Sequence, residues 1–210
     1  MQNDETEVRQ ANKGRLILPP GQVGKLPRNI KKRERLIMTT KKILSIDAET
    51  DGLWGNPFWV AAILYKNRKE VDKINVAIKN PQIEEEWVKE NVLPKLRKCK
   101  NVTFVDSYEK MLAVFSDFYN KYKKDVEILW HMGHIVESHL FREMHRIGFI
   151  GDWDAPYTPI EVSEVLRENN EKPDSVDSYI KKHNIAVNNY GSTHNPLYDC
   201  EVAFKAYLHM

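Results

Sequence analysis

The distribution of apolar residues predicts an α/β protein, a mixed sheet with helices on both faces. Three observations carry that reading. Residues 43–47 form a short apolar run of strand length, with no helical period around it. Residues 59–66 and 70–78 flank the polar pair Asn67-Arg68 and read as a hairpin. Amphipathic stretches then alternate with one more strand candidate, residues 126–130. Three strands in series followed by alternating helices and strands give a mixed sheet covered on both sides.

The later elements follow in order. Residues 83–98 have a helical period that Pro94 interrupts. Residues 107–123 place Met111, Leu112, Phe115, Phe118, Tyr119 and Tyr122 on one helical stripe. Residues 136–147 read as a helix ended near Gly148. Residues 159–167 and 175–183 are expected to be two short helices. Residues 196–209 close the chain, with Pro196 suited to a first helical turn.

A chain of 210 residues, 41% hydrophobic and 30% charged, supports one domain with a sizeable core and some chain left over. The first 40 residues differ from the rest. They carry nine basic and four acidic residues, which leaves about −3 for residues 41–210 out of a total of +2. Pro19-Pro20-Gly21 breaks any helix there. Residues 1–40 are therefore expected to form an extended or partly disordered basic arm, and 41–210 the domain. The arm is open to three readings: a solvated tail, a phosphate-holding arm, or a segment packed on a second subunit of a homo-oligomer. Met38 is read as a candidate internal start.

A net charge of +2 is too small to argue for a nucleic-acid partner by itself. No apolar run approaches the roughly 20 residues of a membrane span, so no membrane partner is expected. The opening residues are polar and acidic, without a signal-peptide pattern. Cys99 and Cys200 are the two cysteines and imply no disulfide framework, so a reducing, cytoplasmic setting is expected.

Three acidic fragments border these elements. Asp47-Ala48-Glu49-Thr50 ends the first strand. Glu137 opens the helix after residues 126–130, and His194 precedes Asp199 by five positions at the last helix. Asp47 and Glu49, two apart on a strand, face the same side. Carboxylate oxygens suit hard divalent ions. A histidine near its ordinary pKa of about 6.5 suits proton abstraction at neutral pH. Each fragment has a plainer reading. Asp47 fits a strand-end turn, Glu137 fits a charge favoured by the helix dipole, and His194 fits a capping residue. With 30 acidic residues in the chain, neither Asp-x-Glu nor His-x4-Asp is specific alone. Order and context together give them weight. His131, His134, His139 and His145 come without a cysteine pattern and read as structural rather than as a zinc site.

In that order the fragments resemble the DEDDh 3'-5' exonucleases, which include proofreading subunits of DNA polymerases. The resemblance covers about residues 41–210. It departs at the second motif, where the family usually has Asp and this chain has Glu137. It implies a ribonuclease-H-like mixed sheet of about five strands. It implies two divalent ions, Mg²⁺ or Mn²⁺, held by Asp47, Glu49, Glu137 and Asp199, with His194 as general base. The implied partner is the 3' end of single-stranded nucleic acid, DNA first and RNA second, released as nucleoside 5'-monophosphates. Thr50 and, by position, Leu53 and Trp54 would contact the terminal nucleotide. Two other readings are a binding module without catalysis on the same fold, and an endonuclease of a related fold. The His-x4-Asp element disfavours the endonuclease.

Overall fold

The computed structural model describes residues 42–188 and 190–210; the segment read as an arm, residues 1–40, and Met38 lie outside the described residues. The first strand, β1 (Lys42–Thr50), is followed by β2 (Pro57–Lys66) and β3 (Lys69–Ile78). β1, β2 and β3 pair antiparallel in sequence. Lys66 pairs with Lys69, so Asn67 and Arg68 make the whole connection. Both have positive φ, 53° and 64°. This handedness matches the twist of a two-residue hairpin.

The segment read as one helix is two short ones, α1 (Glu86–Asn91) and α2 (Leu93–Lys98). The Asp51 carboxylate accepts the backbone N–H groups of Glu84 and Glu85, just ahead of α1, and so anchors its entry to the turn after β1. Pro94 then sits in the first turn of α2, where its missing N–H costs little. Next come β4 (Thr103–Val105) and α3 (Tyr108–Tyr122), the latter capped by the Ser107 hydroxyl on the Lys110 N–H. β5 (Glu127–Trp130) leads into α4 (Val136–Ile147), which ends on Gly148 at φ 87°. β6 (Ile160–Glu161), α5 (Val162–Glu168), α6 (Val176–Lys182) and α7 (Pro196–His209) complete the chain.

The sheet has six strands in the order β4-β3-β2-β1-β5-β6, with β4, β5 and β6 each parallel to its neighbour. Two edge strands, β4 and β6, add to the strands expected. Ile160 and Glu161 belong to β6, where a helix was expected to begin.

Alternation along β1 and β2 splits the core into two layers. Leu44, Ile46, Val60, Ala62 and Leu64 pack with α3 and α4. Ile43, Ala61, Ile63 and Tyr65 pack on the other face with α5, α6 and α7. Phe58, Trp59 and Ala77 meet α1 and α2. None of the helices formed by the described residues is long and apolar enough to cross a membrane.

Candidate metal centre

Asp47 and Glu49 continue the face of β1 that carries Ile43 and Ser45, opposite α7. The Ser45 hydroxyl donates to the Cys200 carbonyl at 2.8 Å, fastening β1 to α7 beside Asp199. A carboxylate oxygen from each of Asp47, Glu49 and Asp199 lies within 4.8 Å of the other two. Among the described residues no Lys or Arg is ion-paired with Asp47, Glu49 or Asp199. Burial and the carboxylates of Asp199, Glu137 and Glu49 push the Asp47 carboxyl well above the usual carboxylate range. Burial and Glu49 push Asp199 upward as well. The acids are thus gathered where no Lys or Arg among the described residues is ion-paired with them, and the nearby Lys95 only partly offsets the upward shift of Asp199. A hard cation is the natural complement of this donor set.

Glu137 arrives from the opposite layer. Only 2% of it is exposed, and its Oε1 accepts the backbone N–H of Ala48 at 3.0 Å, between Asp47 and Glu49. That N–H is free because β5 pairs with β1 only as far as Ser45. Burial raises the Glu137 carboxyl from the ordinary 4.5 to about 8, despite its backbone hydrogen bonds. Glu137 is therefore close to the three gathered acids and lies outside the 4.8 Å group.

His194 precedes α7 in a left-handed backbone conformation, φ 62°. Asn195 caps α7 by accepting the Leu197 N–H, so His194 itself is not the cap. Its Nδ1 lies 3.7 Å from Glu49 Oε1, and the edge of the Trp87–His194 pair brings the ring centroids to 5.0 Å. Asp47, Glu49, Glu137, His194 and Asp199 all line one cleft of about 310 Å³.

The residues expected at the substrate behave differently from one another. Leu53 lines the cleft and is half exposed. Trp54 is 71% exposed on the same turn and does not line it. The Thr50 hydroxyl donates to the Gly52 carbonyl at 2.6 Å, so its proton is committed to the turn. His131 also lines the cleft and bonds the Pro173 carbonyl at 2.8 Å. Asp174 and Asp177 line it too, and sequence reading passed over both. Asp177 sits in the first turn of α6, a position that usually signals helix stabilisation alone. No histidine joins a metal-ligand group among the described residues.

No protein-family profile matches the sequence. No curated protein matches it either. Among solved structures the chain is similar to the nuclease domain of 3'hExo, a DEDDh family member, bound to rAMP. That likeness has a TM-score of 0.58 at 11% identity and covers 81% of this chain and 92% of that one. A second is Exonuclease X in complex with 5' overhanging duplex DNA, at a TM-score of 0.46 and 18% identity, covering 80% and 89%. The first likeness shows the fold alone, a mixed six-stranded sheet with helices around it.

Proposed function

We propose that this protein is a metal-dependent 3'-5' exonuclease that releases nucleoside 5'-monophosphates from single-stranded nucleic acid, with DNA as the favoured substrate. The observation that carries the reading is the gathering of Asp47, Glu49 and Asp199 within 4.8 Å in the cleft that also holds Glu137 and His194. The fold shared with the nuclease domain of 3'hExo supports it. Asp47, Glu49 and Asp199, with Glu137 directly or through water, would hold two ions, Mg²⁺ or Mn²⁺. Two such ions, when bound, activate the attacking water and stabilise the leaving oxygen of an in-line displacement.

The chain's own groups do the rest. The His194 imidazole takes the proton of the attacking water. The imidazolium that forms lies beside Glu49, whose carboxylate at 3.7 Å stabilises the new positive charge. Leu53 at the cleft wall packs against the terminal base. Glu137 holds the end of β1 through Ala48 and so fixes the spacing of Asp47 and Glu49.

A second reading, a catalytically weak nucleic-acid-binding module, has one observation in its favour. Glu137 is buried with its carboxyl raised to about 8, which favours its neutral form over a charged metal ligand. An exonuclease acting on RNA differs from the first reading in substrate alone. Incubation with 3'- and 5'-labelled DNA and RNA oligonucleotides, in Mg²⁺, Mn²⁺ or EDTA, separates these readings. The expected result is a 5'-labelled ladder shortening from its 3' end with either ion and none in EDTA. Binding without any metal-dependent shortening would establish the module instead.

A further inference from the structure

The catalytic cleft is poorly suited to hold a polyanion unaided. Six acidic residues and no Lys or Arg line it: Asp47, Glu49, Glu137, Asp174, Asp177 and Asp199. Bound divalent ions offset part of that charge at the scissile phosphate and little of it further along a strand, since screening confines their influence to about 8–10 Å. A nuclease built this way needs positive groups elsewhere, close to the cleft and outside its acidic field.

Such groups stand on the other side of the loop that carries His194. A second cleft, of about 330 Å³, lies between α2 and this loop, with Lys95, Lys98, Lys100, Tyr190 and Asn195 in its walls. No acid lines it. The surrounding segment, residues 91–105, contains Lys95, Arg97, Lys98 and Lys100 and no acidic residue. Among the described residues none of these four cations is ion-paired. Most lysines and arginines elsewhere have carboxylate partners, as Lys73, Lys89, Lys121, Lys182 and Arg146 do. Lys66, Arg68 and Lys69 are also without an ion pair among the described residues, but they lie at the hairpin end of the sheet, away from Asp47 and Glu49, whereas this group borders the loop that carries His194.

The two clefts share one wall. Thr193 and His194 line the acidic cleft, while Gly191, Ser192 and Asn195 line the cationic one. Lys95 Nζ donates to the Thr193 carbonyl at 2.5 Å, tying α2 to the loop at the boundary. The Lys95 ammonium therefore stands at the boundary of the two clefts.

We infer that the α2 cleft is a second substrate site, where Lys98 and Lys100 hold backbone phosphates of the nucleic-acid strand upstream of its 3' end. This rests on the exonuclease reading above for the direction of the strand. The contacts are to phosphates, so the site confers length dependence and salt dependence without sequence preference.

The test uses the full chain with Lys98→Ala and Lys100→Ala combined. Both side chains are exposed, so the melting temperature should match that of the unaltered protein. Fluorescence anisotropy in EDTA measures binding of a labelled 15-nucleotide strand across a salt series. Two lost phosphate contacts should lower the salt slope by about 1.4, from about 0.7 per contact on a single strand, and weaken binding about tenfold at low salt. Exchanging both lysines for arginine should restore slope and affinity. In Mg²⁺, kcat/KM for the 15-nucleotide strand should fall at least about fivefold further than that for a trinucleotide. Unchanged affinity and slope in the alanine variant would overturn the proposal. So would equal losses on the two lengths, or displacement of the strand by millimolar inorganic phosphate, which would mark a site for free anions. If the unaltered protein hydrolyses neither strand, the exonuclease reading fails while the anisotropy result still reports on the cleft.

Discussion

Glu137→Gln should change how stability depends on pH, because the glutamate is buried with its carboxyl raised to about 8. The unfolded chain ionises this group near the ordinary 4.5. Between those values the folded chain binds more protons than the unfolded one, so stability falls as pH rises. The favourable contribution is fully present below about 4.5 and is lost as pH climbs through 8. The loss amounts to about 1.4 kcal/mol for each pH step, with a ceiling of about 5 kcal/mol. Glutamine keeps an oxygen that accepts the Ala48 N–H, so it preserves the local structure while removing the titration. Urea unfolding in EDTA at pH 5, 6, 7 and 8 measures this. The unaltered protein should lose stability steeply across the series, and Glu137→Gln should lose less by up to about 1.4 kcal/mol per pH step. Adding Mg²⁺ at pH 8 should restore more stability to the unaltered protein, because the ion meets the charge that glutamine removes. Two parallel pH profiles would refute the argument, since they would mean that Glu137 is not held as a buried acid.

Asp47→Ala should abolish metal-dependent hydrolysis and raise the metal-free melting temperature, because it removes one of four acids that repel one another; wild-type cleavage of labelled oligonucleotides would reject the site. His194→Ala should lower turnover by roughly 10²–10⁴, the range for a lost general base, with Mn²⁺ affinity by calorimetry nearly unchanged. Glu137→Asp should retain measurable activity with reduced stability. The retracted carboxylate gives up the 3.0 Å bond to Ala48, a loss of about 1–3 kcal/mol by urea unfolding. Deleting residues 1–37 should leave hydrolysis of a trinucleotide in place, since the acids begin at Asp47, and should flatten the salt slope of strand binding if the arm holds phosphates. A smaller species on a sizing column with an unchanged slope would assign the arm to a subunit contact.

Elements with a strong local signal were legible in the sequence. The β2–β3 hairpin followed from a two-residue polar connection between apolar runs. The α3 stripe followed from its period, and the end of α4 from Gly148. β4 and β6 were not legible, because strands of three and two residues have no period to read. They exist as parallel edge pairings to β3 and β5, chosen by the sheet and not by their own residues. The anchoring of the α1 entry was hidden for a different reason. Asp51 takes up the N–H groups of Glu84 and Glu85 from 33 and 34 positions away, and no local pattern reports that bond.

The candidate site divides along the same line. Asp47, Glu49 and Asp199 stood at element ends, and the register of β1 against α7 brings their carboxylates together. The place of Glu137 depends on a contact across 89 positions and on where another strand stops. β5 parallels β1 only through Ser45, which leaves the Ala48 N–H open at the carboxyl end of the pair. In open α/β sheets that end is where ligands gather. α4 packs its apolar face against Leu44, Ile46 and Ala48, the face of β1 that looks away from Asp47 and Glu49. An acid on α4 must therefore reach past the strand edge to share the acidic cleft. A side chain as long as glutamate spans that distance while still accepting the Ala48 N–H.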